Sequence, residues 1–175
     1  MTKLHSITTF NTEIVDEIAI TEDFKAIRAC IQCGNCSAVC ASGEFTALRT
    51  RNVIRKALLG LESVLSDEDL WQCTTCFNCL EVCPRTIPVT EIILNLRNIA
   101  VRKGYMPEAL KGVIKNLVQH GHAVPLGADD GTWAKLRAYH GLDQIPPTVR
   151  KYPNELDEIY TLLNKIRFNG RIPYR

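Results

Sequence analysis

The chain of 175 residues contains no apolar run near the roughly 18 to 20 residues that cross a bilayer, so no membrane-spanning helix and no membrane partner are expected. Residues 1–13 lack the apolar stretch of a secretory signal, which suits a cytoplasmic protein. Charge of one sign is also missing. With 21 Lys and Arg against 19 Asp and Glu the formal net charge is +2, so nothing in the balance calls for nucleic acid or an anionic membrane. Neither G-x-G-x-x-G nor G-x4-G-K-[ST] occurs, which removes the sequence case for a flavin or nucleotide of its own. No pair of alternating apolar and polar runs suggests a sheet. The composition, 46% hydrophobic and 23% charged, excludes neither a core nor a soluble surface and argues against disorder and against a coiled-coil rod.

What is present in excess is cysteine. Eight in this length is below the density of small disulfide scaffolds, and without a secretory signal a reducing compartment is expected, where clustered thiols usually bind metal. They stand at Cys30, Cys33, Cys36, Cys40 and at Cys73, Cys76, Cys79, Cys83, the pattern C-x2-C-x2-C-x3-C written twice. A shift of 43 residues maps the first copy onto the second and also pairs Asn35 with Asn78 and Val39 with Val82, so the motif is an internal repeat. Zinc sites are normally built from two separated C-x2-C pairs, whereas three thiols at successive x2 spacing suit the corners of a cubane. One short loop reaches three iron corners and is too short to surround the cluster and reach the fourth, so a remote thiol has to close the cage. Two [4Fe-4S] clusters are expected; two zinc ions, as in a nucleic-acid-binding module, are the non-redox alternative.

This spacing resembles that of bacterial two-cluster ferredoxins, in which each loop lends its fourth cysteine to the other cluster. The resemblance implies that Cys30, Cys33, Cys36 and Cys83 hold one cluster and that Cys73, Cys76, Cys79 and Cys40 hold the other. Pro84 follows Cys83 as in the ferredoxin signature, but Cys40 is followed by Ala41, Ser42 and Gly43, so the first loop departs from it and keeps a backbone donor able to reach a sulfur. Gly34 in the first loop corresponds to Phe77 in the second. The glycine is free to take φ > 0, while Phe77 is expected either to form a lid that makes its cluster the drier, with the lower potential unless Arg85 offsets the charge, or to pack against Trp71 and Leu80.

The rest reads as helix. Thr50, Val53, Ile54, Ala57, Leu58 and Leu61 fall on one helical face ending near Gly60. Ser66 is a candidate cap for a short helix opening on Asp67, Glu68 and Asp69. Ile92, Ile93, Leu96, Ile99 and Ala100 form a stripe that Gly104 ends. Upstream, Thr21 is a candidate cap for a helix through Phe24 and Ile27, with another over Thr12 to Ala19. Downstream, Pro107 suits a first helical turn before the face Leu110, Val113, Ile114, Leu117, Val118, which ends at Gly121. A glycine-rich loop over residues 120–132, a short helix from Trp133 to His140, a proline-marked stretch from Gly141 to Pro153 and a stripe of Leu156, Ile159, Tyr160, Leu163 and Ile166, stopped by Asn169 and Gly170, complete the pattern. The expected class is all-α: an alpha-helical ferredoxin with a helical C-terminal extension, divided as arm 1–20, cluster domain 21–104 and extension 105–175.

The run "CIQCGNCSAVCASGEFTALRTRNVIRKALLGL" followed by "LWQCTTCFNCLEVCPRTIPVTEI" resembles the C subunit of the soluble heterodisulfide reductase of methanogenic archaea, over roughly residues 20–120. The cysteine motifs alone match many helical ferredoxins, including iron–sulfur subunits of succinate, fumarate, glycerol-phosphate and lactate-type oxidoreductases; the "RTR…IRKALLGL" helix narrows the choice. The resemblance implies a role in methanogenesis as the link between the other two heterodisulfide reductase subunits. These are the flavin-carrying one, named A, and the one that splits the coenzyme M–coenzyme B heterodisulfide, named B; a hydrogenase or formate dehydrogenase supplies the electrons. The residue inventory agrees, because eight thiols committed to iron leave none to act as a nucleophile. With both clusters the net charge becomes about −2. Arg49, Arg51, Arg55 and Lys56, and Arg167, Arg171 and Arg175, are candidates to pair with acidic partner surfaces, a solvated face being the alternative. His5, His120, His122 and His140 share no helical register and are expected to be solvated or core histidines. Trp71 and Tyr105 are expected to pack, and Glu81 and Glu91 form no interpretable acid–base pair.

Overall fold

The computed structural model describes residues 16, 25–123, 132–144, 146 and 152–168. Among them there are helices and turns and no strand, so the all-α class holds. The chain divides into two compact units, Met1–Tyr105 and Met106–Arg175.

In the first unit the helices run α1 (Asn35–Ala38), α2 (Ala41–Phe45), α3 (Thr50–Leu58), α4 (Ser63–Ser66), α5 (Asn78–Glu81) and α6 (Val89–Arg102), with short 3-10 turns at Ala26–Ala29 and Glu68–Gln72. The two long helices bury the expected stripes. On α3, Thr50, Val53, Ile54 and Ala57 are inside; on α6, Ile92, Ile93, Leu96, Ile99 and Ala100 are inside, together with Val89 and Thr90. Leu58 and Leu61 are only half-buried. The backbone N–H of Leu61 donates to the Lys56 carbonyl and that of Gly60 to the Ala57 carbonyl, which closes the end of α3; Tyr105 and Gly104 close α6 in the same way on Ala100 and Val101. Helix α6 packs against α4, α5 and the turn Glu68–Gln72, α3 against α1, α4 and the turn Ala26–Ala29, and α1 against α5. Ile27, Leu48, Leu65, Leu70 and Ile87 fill the space between them.

The buried faces show where the halves differ. Thr50, Val53, Ile54 and Ala57 correspond to Val89, Ile92, Ile93 and Leu96 at a shift of 39 residues, four fewer than the shift between the cysteines. The first half thus has extra chain after Cys40, and there it forms α2 where the second half has Pro84. Arg49 ties this segment down, its Nη1 donating to the carbonyls of Gly43, Thr46 and Leu48 at 2.9, 3.1 and 2.9 Å. Ser42 Oγ joins it to the second half by donating to the Gln72 carbonyl.

Ser66 does not cap the helix expected of it. It is the last residue of α4, and its hydroxyl donates back to the Ser63 carbonyl at 3.2 Å. Asp67 takes the N-terminal position of the next turn in an extended conformation, without a side-chain cap, and its carboxylate is held by Lys56 Nζ at 2.5 Å. An ion pair thus competes successfully with capping. Of the upstream helix, Ala26–Ala29 is present as a 3-10 turn; Thr21 and Phe24 lie outside the described residues, as does all of Thr12 to Ala19 except the helical Asp16.

The second unit contains α7 (Glu108–His120), α8 (Thr132–Tyr139) and α9 (Pro153–Lys165), with α7 against α9. Pro107 stands just before α7, at ψ 138°, rather than in its first turn. Of the α7 stripe only Val118 is buried, while Leu110, Val113 and Leu117 are exposed, so the face exists but is largely uncovered by the described residues. Residues 124–131, most of 145–151, and Asn169 and Gly170 lie outside the described residues.

Candidate metal centre

Each cysteine loop is a short extended segment broken by left-handed residues, which turns successive sulfurs inward. The pattern repeats: Gln32 and Thr75 both have φ 56°, and Gly34 at φ 90° is matched by Phe77 at φ 62°. The aromatic residue therefore occupies the conformation expected to need glycine, and sterics between its Cβ and the following carbonyl make that costly. Gly34→Ala would impose the same cost on the first loop. Its Cβ would meet only the Arg51 side chain, at 3.8 Å, so strain alone should destabilise the anaerobic protein by about 1 to 2 kcal/mol, read as a lowered bleaching temperature of the cluster absorbance.

The fold brings the two motifs together crosswise. One cavity is lined by Cys30, Cys33 and Cys36 with Cys83, among Ile31, Ile54, Ile87 and Val89. A second is lined by Cys73, Cys76 and Cys79 with Cys40, among Thr50, Thr90 and Ile93. All eight cysteines are free thiols. Cys33 and Cys76 are exposed, Cys79 is buried, and the others are intermediate. Among the described residues no three His, Cys, Asp or Glu side chains gather closely enough to hold a single metal ion. A cubane presents four iron corners for thiolates, and each cavity is lined by four cysteines, three from one motif and one from the other, so the donor set fits [4Fe-4S].

Donors converge on the sulfurs. Gly43 N–H, the donor anticipated after Cys40, reaches Cys40 Sγ at 3.3 Å. A Cβ on Gly43 would lie 2.9 Å from the Leu48 carbonyl oxygen, so only glycine allows this approach. Ile87 N–H reaches Cys83 Sγ at 3.4 Å, Gln32 Nε2 reaches Cys30 Sγ at 3.3 Å, and Thr90 Oγ1 lies 3.2 Å from Cys79 Sγ. Arg97 donates to the carbonyls of Leu70 at 2.9 Å and Cys73 at 2.6 Å, with its guanidinium 5.6 Å above the Trp71 ring. These contacts fix the entry to the second loop and give Trp71 the packing role expected of it. Burial pushes the Cys36 thiol up to about 11, with Cys79 and Cys30 adding to the rise; burial also raises Cys79, opposed by the Thr90 hydrogen bond. Thiols so placed keep their protons near neutrality, so ligation releases them and is coupled to pH.

Gln32, Thr90 and Arg97 were not legible as site residues. Thr90 carried a weak signal, a hydroxyl three residues before Ile93 on the buried face of α6. Phe77 is exposed and is not among the residues lining the second cavity, so the position expected for an aromatic lid is not the one it takes. Arg51 and Arg85 line the first cavity instead. Of the cations expected to face partners, Arg49 and Lys56 are engaged within the chain, Arg51, Arg55 and Arg167 are exposed, and Arg171 and Arg175 lie outside the described residues. His140 packs its ring edge-on to Tyr139, 5.2 Å between centroids, and His5 lies outside the described residues.

A family profile described as a 4Fe-4S dicluster domain matches residues 26–87, the span of both motifs. The second iron–sulfur C subunit of the CoB–CoM heterodisulfide reductase of Methanocaldococcus jannaschii is 42% identical over 168 residues, covering 94% of this chain and 89% of that protein. The chain belongs to the family of heterodisulfide reductase C subunits. Two further members are the C subunit of the ferredoxin:CoB–CoM heterodisulfide reductase of Methanosarcina mazei, 46% identical over 82% of this chain and 87% of its own, and the C2 subunit of the H2/formate:CoB–CoM heterodisulfide,ferredoxin reductase of Methanococcus maripaludis, 44% identical over 87% and 82%. As a member of this family it is a non-catalytic, iron–sulfur electron-transfer component of an oxidoreductase, and its cofactors are two [4Fe-4S] clusters. Among the described residues no helix is long and apolar enough to cross a membrane.

Proposed function

We propose that this chain is the one-electron relay of a cytoplasmic heterodisulfide reductase, receiving electrons from the flavin-containing A component and delivering them to the B component, which reduces the coenzyme M–coenzyme B heterodisulfide. The observation that carries the reading is the crosswise pair of four-cysteine cavities. Cys30, Cys33, Cys36 and Cys83 hold one cluster, and Cys73, Cys76, Cys79 and Cys40 the other. Each [4Fe-4S] cluster, when bound, supplies a centre that gains and loses one electron at a time, whereas opening a disulfide takes two. Helix α1, which carries Cys36, packs against α5, which carries Cys79, and this supports two cages held side by side. The exposed Cys33 and Cys76 give each cage an outer edge where a partner can approach.

Residues 21–104 serve as the cluster domain, with 1–20 as an arm and 105–175 as the partner-contacting extension. The exposed Leu110, Val113 and Leu117 on α7 support this assignment, since apolar stripes left uncovered on a folded unit mark association surfaces. The name of the Methanococcus maripaludis relative points to hydrogen or formate as the ultimate electron source. Anaerobic isolation from the native host tests the reading. A brown protein with about eight irons per chain, recovered with a flavoprotein and another iron–sulfur protein, is the expected result. A colourless protein with about two zinc ions, or an iron protein that elutes as a free monomer, overturns it.

A further inference from the structure

The eight sulfurs are not treated alike. Cys79 is the one cysteine of the eight that is buried, at 7% exposure, and the hydroxyl beside it, on Thr90, is buried at 1%. Their separation of 3.2 Å permits either atom to donate. A cysteine bound to iron carries no proton, so in the holoprotein the hydroxyl is the donor and the sulfur the acceptor. Water cannot reach this pair to replace the bond, and in such a setting a hydrogen bond exerts its largest electrostatic effect. By the alignment of buried faces that sets Thr50 on Val89 and Ile54 on Ile93, the counterpart of Thr90 is Arg51, an exposed side chain lining the other cavity. The two halves thus place different chemistry at one position of the repeat.

We propose that Thr90 is the positioning residue that sets the reduction potential of the second cluster, its hydroxyl donating to the Cys79 sulfur and stabilising the extra electron of the reduced state. The proposal rests on the reading of Cys79 as a cluster ligand. A donor aimed at a cluster sulfur favours the more negative redox state, so its loss makes the cluster harder to reduce. No proton is transferred in this role; the hydroxyl keeps its hydrogen in both states.

The test compares the anaerobically prepared holoprotein with Thr90→Val, which keeps the shape and removes the donor, and Thr90→Ser, which keeps the donor. Iron content is measured on each, and potentials are followed by EPR. The valine chain is expected to retain about eight irons and both EPR signals. At the wild-type midpoint the reduced-to-oxidised ratio of one cluster should fall about tenfold, equivalent to about 59 mV for a one-electron couple. The other cluster should be unmoved, and serine should restore most of the shift. Unchanged potentials in the valine chain, or equal shifts for valine and serine, overturn the proposal. Failure of the valine and Thr90→Ala chains to load iron while serine loads normally also overturns it, by assigning Thr90 to folding. Absence of iron from the wild-type protein is a different failure, that of the cluster reading itself.

Discussion

Replacing Cys83 with serine should empty the cage around Cys33 and leave the one around Cys76 filled, although Cys83 belongs to the second motif. The reason is the position of its sulfur, in the cavity lined by Cys30, Cys33 and Cys36. Iron content should fall from about eight to about four, with one EPR signal lost. A pair of double variants decides the pairing more sharply than any single one. Cys30→Ser and Cys83→Ser combined should cost no more iron than either alone, because both damage one cage. Cys30→Ser with Cys40→Ser should remove nearly all of it, because the damage is divided between two. Ligation within each motif predicts the reverse order. Non-additivity of this kind identifies residues that act as a unit.

The second large effect belongs to the core. Leu96→Ala on α6 should cost about 2 to 5 kcal/mol, the usual range for truncating a fully buried leucine, out of a total stability of about 5 to 15 kcal/mol. Leu96 is completely buried, whereas Leu94 on the same helix is exposed. Leu94→Ala should therefore change stability by no more than about 0.5 kcal/mol. Thermal bleaching of the cluster absorbance in sealed anaerobic samples measures both. Equal losses in the two variants would show that α6 is not seated on the core through Leu96.

Much of this arrangement was readable from residue order. Cysteine spacing is a direct record of which corners of a cubane one loop can reach, and the stripes of α3 and α6 record which side of each helix is dry. The donor after Cys40 was also foreseeable, since the chain there has Gly43 where the other half has a proline-marked turn. Other features depend on contacts that spacing does not reveal. Ser66 loses its capping role because it ends α4 and its hydroxyl donates back to the Ser63 carbonyl. Phe77 adopts a glycine-like backbone because its loop must turn as Gly34 turns its own, whatever the side chain costs. The α7 stripe has the periodicity of a buried face, yet Leu110, Val113 and Leu117 remain exposed, because amphipathic order records an appetite for contact without naming what satisfies it. Thr90 and Gln32 meet sulfurs through three-dimensional approach, for which a linear pattern carries only the faintest trace.

The crossing of the halves also bears on how the protein is made. A ribosome releases Cys30, Cys33 and Cys36 well before Cys83, and it completes α3 well before α6, yet the first cavity draws on all of these. Neither compartment has its full complement of walls while translation is still passing through the second motif. A chain cut between the motifs would therefore yield two fragments with no finished vessel in either.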